Sequence, residues 1–192
     1  MIRSCPSFLL LIVAACVVGS VQAQDLERRT LSHRNTEIRV RLGYDIERKT
    51  QQRKMMKGTV QSVVWTISTD CCERAVMAVD LGTAFSEEVR PDQIPDKQAQ
   101  RMFDGAVERL SAQGGEKIND IRQEWEGYPS RVASILYDAS RTATVVRAVM
   151  VGTVMWTFLW RLEEPISSDL QEWKDQYSTK MKGFLQTVEV IE

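Results

Sequence analysis

KINDIRQEWEGYPSRVASILYDASRTATVVRAVMVGTVMWTFLWR, residues 117–161, decides the fold. It reads as strand, turn, strand, loop, strand, turn, strand. Residues 145–151 and 154–161 are rich in β-branched and aromatic side chains, and Gly152-Thr153 separates them. A two-residue Gly-X loop between such runs predicts a type II′ hairpin turn, because glycine accepts the positive φ at the first central position. Alternation along 154–161 puts Val154, Trp156, Phe158 and Trp160 on one face and Met155, Thr157 and Leu159 on the other. Both faces are mostly apolar, so the strand is expected to be covered on both sides.

Outward from this meander, residues 37–42 alternate Ile38, Val40 and Leu42 with Arg39 and Arg41, the pattern of a half-buried strand. The basic stretch running into the turn at Gly58 reads as the other arm of a hairpin, and residues 59–68 and 74–81 read as two more strands. Residues 96–113 carry Ala99, Met102, Phe103, Ala106, Val107 and Leu110 at helical spacing, with Asp96 as the expected N-cap and Gly114-Gly115 as the stop. Residues 168–185 carry a second stripe through Leu170, Trp173, Tyr177, Met181, Phe184 and Leu185, opened by a Ser168/Gln171 capping box. The order is four strands, a helix, four strands, a helix. With one helix available per face of an apolar sheet, the expected class is α+β. The expected architecture is an α/β/α sandwich with one mainly antiparallel sheet and a helix on each side.

The N-terminus reads as a leader. Arg3 supplies a positive n-region, residues 8–18 form an apolar run shorter than the ~20 residues of a membrane span, and Val21-Gln22-Ala23 fits a signal-peptidase site. The expected division is a signal peptide over 1–23, a polar, mobile arm over 24–36 and one domain over 37–192. Val13-Ala14-Ala15-Cys16 also resembles a lipobox, so lipid anchoring through Cys16 is the alternative. Losing 1–23 removes Arg3 and no acid, which moves the formal charge from −1 to −2. A nearly neutral chain has no whole-domain signature of nucleic-acid binding.

Several phrases in order resemble the PsbP-like superfamily, a group of binding and assembly proteins that includes many secreted bacterial members. They are Arg48-Lys49-Thr50-Gln51 leading to Lys57-Gly58-Thr59-Val60, then Glu126-Gly127-Tyr128-Pro129-Ser130-Arg131, then residues 145–156, then Phe184-Leu185-Gln186-Thr187-Val188. The resemblance spans about residues 37–188. It implies an antiparallel sheet under helices, and it implies no catalytic residues and no cofactor.

The residues themselves offer few sites. Cys71-Cys72 is a candidate redox pair, although adjacent Cα atoms ~3.8 Å apart would strain a vicinal disulfide and a strand would point the two thiols to opposite faces. His33 is the only histidine and falls in the arm beside Ser32, where nothing positions a base. Glu87-Glu88 and Glu163-Glu164 read as solvated loop charges. Trp156, Phe158 and Trp160 read as core under a helix rather than a ligand wall. Charge is segregated: Arg39, Arg41, Arg48, Lys49, Arg53, Lys54 and Lys57 crowd the first strands with few acids. They form a candidate patch for an anionic partner, such as an acidic protein, an envelope polymer or membrane headgroups, or else they protect a sheet edge. The reading is a secreted or periplasmic, non-enzymatic binding or assembly module. The rival class is a small redox or hydrolytic enzyme using Cys71-Cys72 or the loop carboxylates.

Overall fold

The computed structural model describes residues 27–42, 45–54, 59–68, 72–84, 94–137, 142–162 and 183–191. Among them are ten strands, one long helix and a short 3-10 turn over Leu81–Ala84. The meander is as expected. Strands β6 (Glu116–Trp125), β7 (Tyr128–Tyr137), β8 (Thr142–Val151) and β9 (Val154–Leu162) pair in sequence, all antiparallel. Gly152 takes φ 58° at the first position of the β8–β9 turn, as a II′ hairpin requires. The β6–β7 turn instead holds Glu126 and Gly127 at φ 52° and 81°.

β9 does not end the sheet. Its free side pairs with β5 (Cys72–Asp80), which continues to β4 (Thr59–Ser68) and β3 (Glu47–Lys54). The seven-stranded order is β3-β4-β5-β9-β8-β7-β6, so the aromatic strand lies in the middle. A second sheet has the order β1-β2-β10, built from Glu27–His33, Thr36–Leu42 and Glu189–Ile191.

The two faces of the large sheet are covered differently. Helix α1 (Asp96–Ser111) lies on one, where Ala99 and Phe103 pack on Ala148, Met150 and Met155, and Val107 packs on Ala133 and Val146. Pro95, with extended backbone and no side-chain cap bond, takes the N-cap place expected for Asp96. The Asp96 carboxylate instead stands in the first turn, where the helix dipole favours it. On the opposite face Leu31, Ile38, Val40 and Leu42 of the small sheet pack on Trp65, Val76, Val149, Trp156 and Phe158. Trp65 and Trp156 stack with centroids 5.9 Å apart, and the Trp156 indole donates to Thr36 Oγ1 at 3.1 Å. Trp156, Phe158 and Trp160 are core, but under the small sheet rather than under the helix expected there.

The α/β/α sandwich is therefore overturned. The protein is predominantly β, with two antiparallel sheets, and a sheet rather than a helix covers the face opposite α1. Alternation in residues 37–42 shows that one face is buried but not against what. The helix expected over 168–185 lies outside the described residues except for 183–185, which are helical and bring Phe184 and Leu185 into the same core. Part of the expected mobile arm is strand β1, held to β2 from Glu27↔Leu42 to His33↔Thr36.

Candidate functional site

The basic residues singled out from the sequence are divided among distinct surfaces. In β2 the apolar Ile38, Val40 and Leu42 turn to the core, which leaves Arg39 and Arg41 on the outer face of the small sheet. Across β1, Arg28 stands directly opposite Arg41 and Thr30 opposite Arg39. Across β10, Glu189 stands opposite Arg39. Glu189 takes Arg28 at 2.6 Å and Arg39 at 3.5 Å. Arg48 and Lys49 lie on the exposed edge strand β3, opposite Trp65 and Val64, and so on opposite faces of the large sheet. Lys49 pairs with Glu47 at 2.8 Å. Arg53 and Lys54 end β3, opposite Val60 and Thr59, and Lys57 lies outside the described residues. The outer face of the small sheet is thus the coherent part of the patch, with Arg28, Arg39 and Arg41 set against Glu37 and Glu189.

Two buried polar nodes were not read from the sequence. The first joins the sheets. Val76, Ala78 and Asp80 share one face of β5, so Asp80 is fully buried at the strand end. Its carboxylate accepts from Gly82 N at 2.9 Å and Thr153 Oγ1 at 3.2 Å, and it holds Arg34 Nε at 3.1 Å. Arg34 is in the β1–β2 turn with φ 56°, a conformation that costs a non-glycine residue strain. His33, beside it, is 7% exposed with Nε2 buried and lacking a hydrogen-bond partner. Burial lowers its pKa; Asp80 opposes that shift, and the Arg34 and Arg48 guanidiniums reinforce it. The histidine of the supposed arm is a junction residue. A buried aspartate at the end of an apolar alternation was the signal available in the sequence.

The second node ties α1 to the meander. Arg131 of β7, 6% exposed, gives two hydrogen bonds of 2.6 Å to Asp120 of β6 and contacts Asp104 of α1. Arg122 reaches Asp104 at 3.2 Å and Lys117 reaches Asp120 at 3.6 Å. Burial pulls the Arg131 pKa below its usual value. Arg147, also shifted down by burial with Glu126 opposing, lies over the Trp125 ring at 5.1 Å.

Of the candidate redox pair, Cys72 is 2% exposed in the core at the start of β5, and Cys71 lies outside the described residues. Cys16, Glu87-Glu88 and Glu163-Glu164 lie outside them too. Among the described residues no group of three or more His, Cys, Asp or Glu side chains is placed to hold a metal ion. No helix among them is long and apolar enough to cross a membrane. Comparison with family models, with curated proteins and with solved structures finds no match for this chain.

Proposed function

We propose that the protein is a secreted, non-enzymatic binding module that meets an anionic partner through the basic outer face of its small sheet. One observation carries the reading: Arg28 and Arg41 stand directly opposite each other across β1 and β2. Like charges in that position destabilise a sheet. Edge protection does not account for Arg39, because β2 has β1 on one side and β10 on the other there; past the end of β10, the Arg41 N–H donates to Thr187 Oγ1 at 3.3 Å. Arg39 shares Glu189 with Arg28 inside the fold, so it is the exposed Arg41 for which a role outside the fold accounts best. Summed positive potential on such a face speeds encounter with acidic surfaces. The leader-like residues 1–23 support an extracytoplasmic setting, and an envelope polymer or anionic headgroups suit that setting. A likeness to PsbP-like proteins rests on the quoted phrases alone, since the helix-covered sheet it implies is not the fold observed.

Retention on anionic vesicles, neutral vesicles and an acidic polymer tests this, at low and moderate salt. The wild type is expected to be retained on the acidic supports at low salt and released as screening shortens to about 8 Å at physiological ionic strength. Arg28→Gln/Arg41→Gln is expected to lose retention, and Arg48→Gln/Lys49→Gln to lose less. Salt-independent retention, or equal retention of the first variant and the wild type, would remove the reading. Mass spectrometry of the exported protein is expected to give an N-terminus at Gln24; a lipid on Cys16 would move the reading to an anchored protein.

A further inference from the structure

The seven-stranded sheet ends in β3 on one side and β6 on the other. An edge strand presents backbone N–H and C=O groups that another chain can pair with. Charge closes one of these edges. β3 carries Arg48, Lys49, Arg53 and Lys54 against Glu47, a net +3, so two copies meeting through β3 would repel. β6 carries Lys117 and Arg122 against Glu116, Asp120 and Glu124, a net −1 with the signs interspersed. Residues Glu116 to Glu124 of this strand are exposed apart from half-buried Ile118. Near its middle stands Ile121, 45% exposed, the large apolar side chain left in solvent among the described residues.

We infer that two copies of this chain pair through β6, antiparallel, about a two-fold axis at Ile121. In that register Ile121 faces Ile121, Asp120 faces Arg122 twice, and Asn119 faces Gln123 twice. Directly opposed residues share a sheet face with Cβ atoms ~4.5–5.5 Å apart, so an apolar contact, two opposite-charge pairs and two amide pairs form together. Neighbouring registers do not achieve this. An axis at Asp120 opposes two aspartates, and one at Arg122 opposes two arginines. An axis between residues would oppose side chains of opposite faces, which antiparallel pairing does not allow. The contacts within each chain leave the charges accessible: the Arg122 side chain is 61% exposed while holding Asp104, and that of Asp120 is 27% exposed while holding Arg131. The bulge between Lys117 and Asn119 distorts only the first part of β6, leaving 119–125 regular. The pairing also closes. It joins the same edge of both copies and leaves the two repelling β3 edges outermost, which stops further growth.

Sedimentation of the purified protein from micromolar to hundreds of micromolar tests the inference. The wild type is expected to sediment at twice the chain mass at the upper end. Ile121→Lys sets two ammonium groups opposite each other without touching the core, and is expected to weaken association at least about tenfold with an unchanged far-UV spectrum. Ile121→Cys is expected to cross-link into a dimer on mild oxidation, whereas Asn119→Cys, which faces Gln123, is not. A wild type that stays monomeric, an Ile121→Lys protein that dimerises unchanged, equal cross-linking of the two cysteine variants, or open-ended larger species would each overturn it.

Discussion

Asp120→Ala is expected to cost more stability than Arg131→Met, although both remove the same pair of hydrogen bonds. The asymmetry follows from where each partner sits. Arg131 is 6% exposed at its side chain, whereas Asp120 and Asp104 are 27% and 34% exposed. Removing Asp120 leaves a buried guanidinium with the Asp104 carboxylate still beside it. Breaking a buried pair from one side costs ~3–5 kcal/mol, and the surviving contact places this case near the lower end, about 3 kcal/mol. Removing Arg131 leaves two carboxylates that water reaches. Asp104 keeps Arg122 at 3.2 Å and Asp120 keeps Lys117 at 3.6 Å. Methionine replaces much of the aliphatic stem, so about 1 kcal/mol is expected, the scale of exposed ion pairs. With a urea m-value of about 2 kcal/mol/M, the midpoints fall by about 1.5 M and about 0.5 M respectively. The melts are run at low protein concentration, since Asp120 also lies on β6. If Arg131→Met proves as destabilising as Asp120→Ala, the reasoning from burial is wrong.

Three further outcomes are expected. Because burial lowers the His33 pKa below its ordinary value of 6.5, the unfolded chain binds the proton first as pH falls. The stabilisation is then complete above about pH 6.5 and is lost as pH drops through the folded value, with a slope of at most ~1.4 kcal/mol per pH unit. His33→Gln is expected to flatten that slope in urea melts between pH 4 and 7, on the scale of the usual histidine range; an unchanged slope would show that other groups set it. Gly115→Ala would place a Cβ against Ile135 Cγ2 and 2.7 Å from Tyr137 Cε1, so a loss of ~1–3 kcal/mol is expected by thermal melting. Cys72→Ser puts a hydroxyl into the core and is expected to cost ~1–2 kcal/mol, more than Cys72→Ala, which a urea series would show by its midpoints. Loop length alone would predict no cost for that change, since an adjacent pair closes almost no loop; burial is the stronger term.

The meander was legible because its signals are local. Gly152-Thr153 and Glu126-Gly127 set turns, and the alternation around Trp156, Phe158 and Trp160 assigns faces without knowledge of any other strand. The helix over 96–113 was legible for the same reason, and its observed span, Asp96–Ser111, ends where Gly114-Gly115 stops it. The cover of the second face was not legible. Residues 27–33 carry Arg28, Arg29, Ser32, His33 and a single large aliphatic, Leu31, so hydrophobicity alone reads them as polar arm. They become a strand through pairing with β2, and His33 is buried because Asp80 and Arg34 meet there from β5 and the β1–β2 turn.

The sequence by itself determined the turns, the alternating faces, the helix and the segregation of charge, because each depends on residues a few positions apart. Tertiary structure decided the rest. Pairing β5 with β9 joined two sets of strands into one sheet and put the aromatic strand at its centre. It also decided which basic residues share a surface. Arg28 and Arg41 are neighbours across a hairpin, while adjacent Arg48 and Lys49 lie on opposite sides of an edge strand. The physical reason is that a strand's hydrogen bonds and its buried face are completed by partners distant in the chain, and no local pattern names those partners.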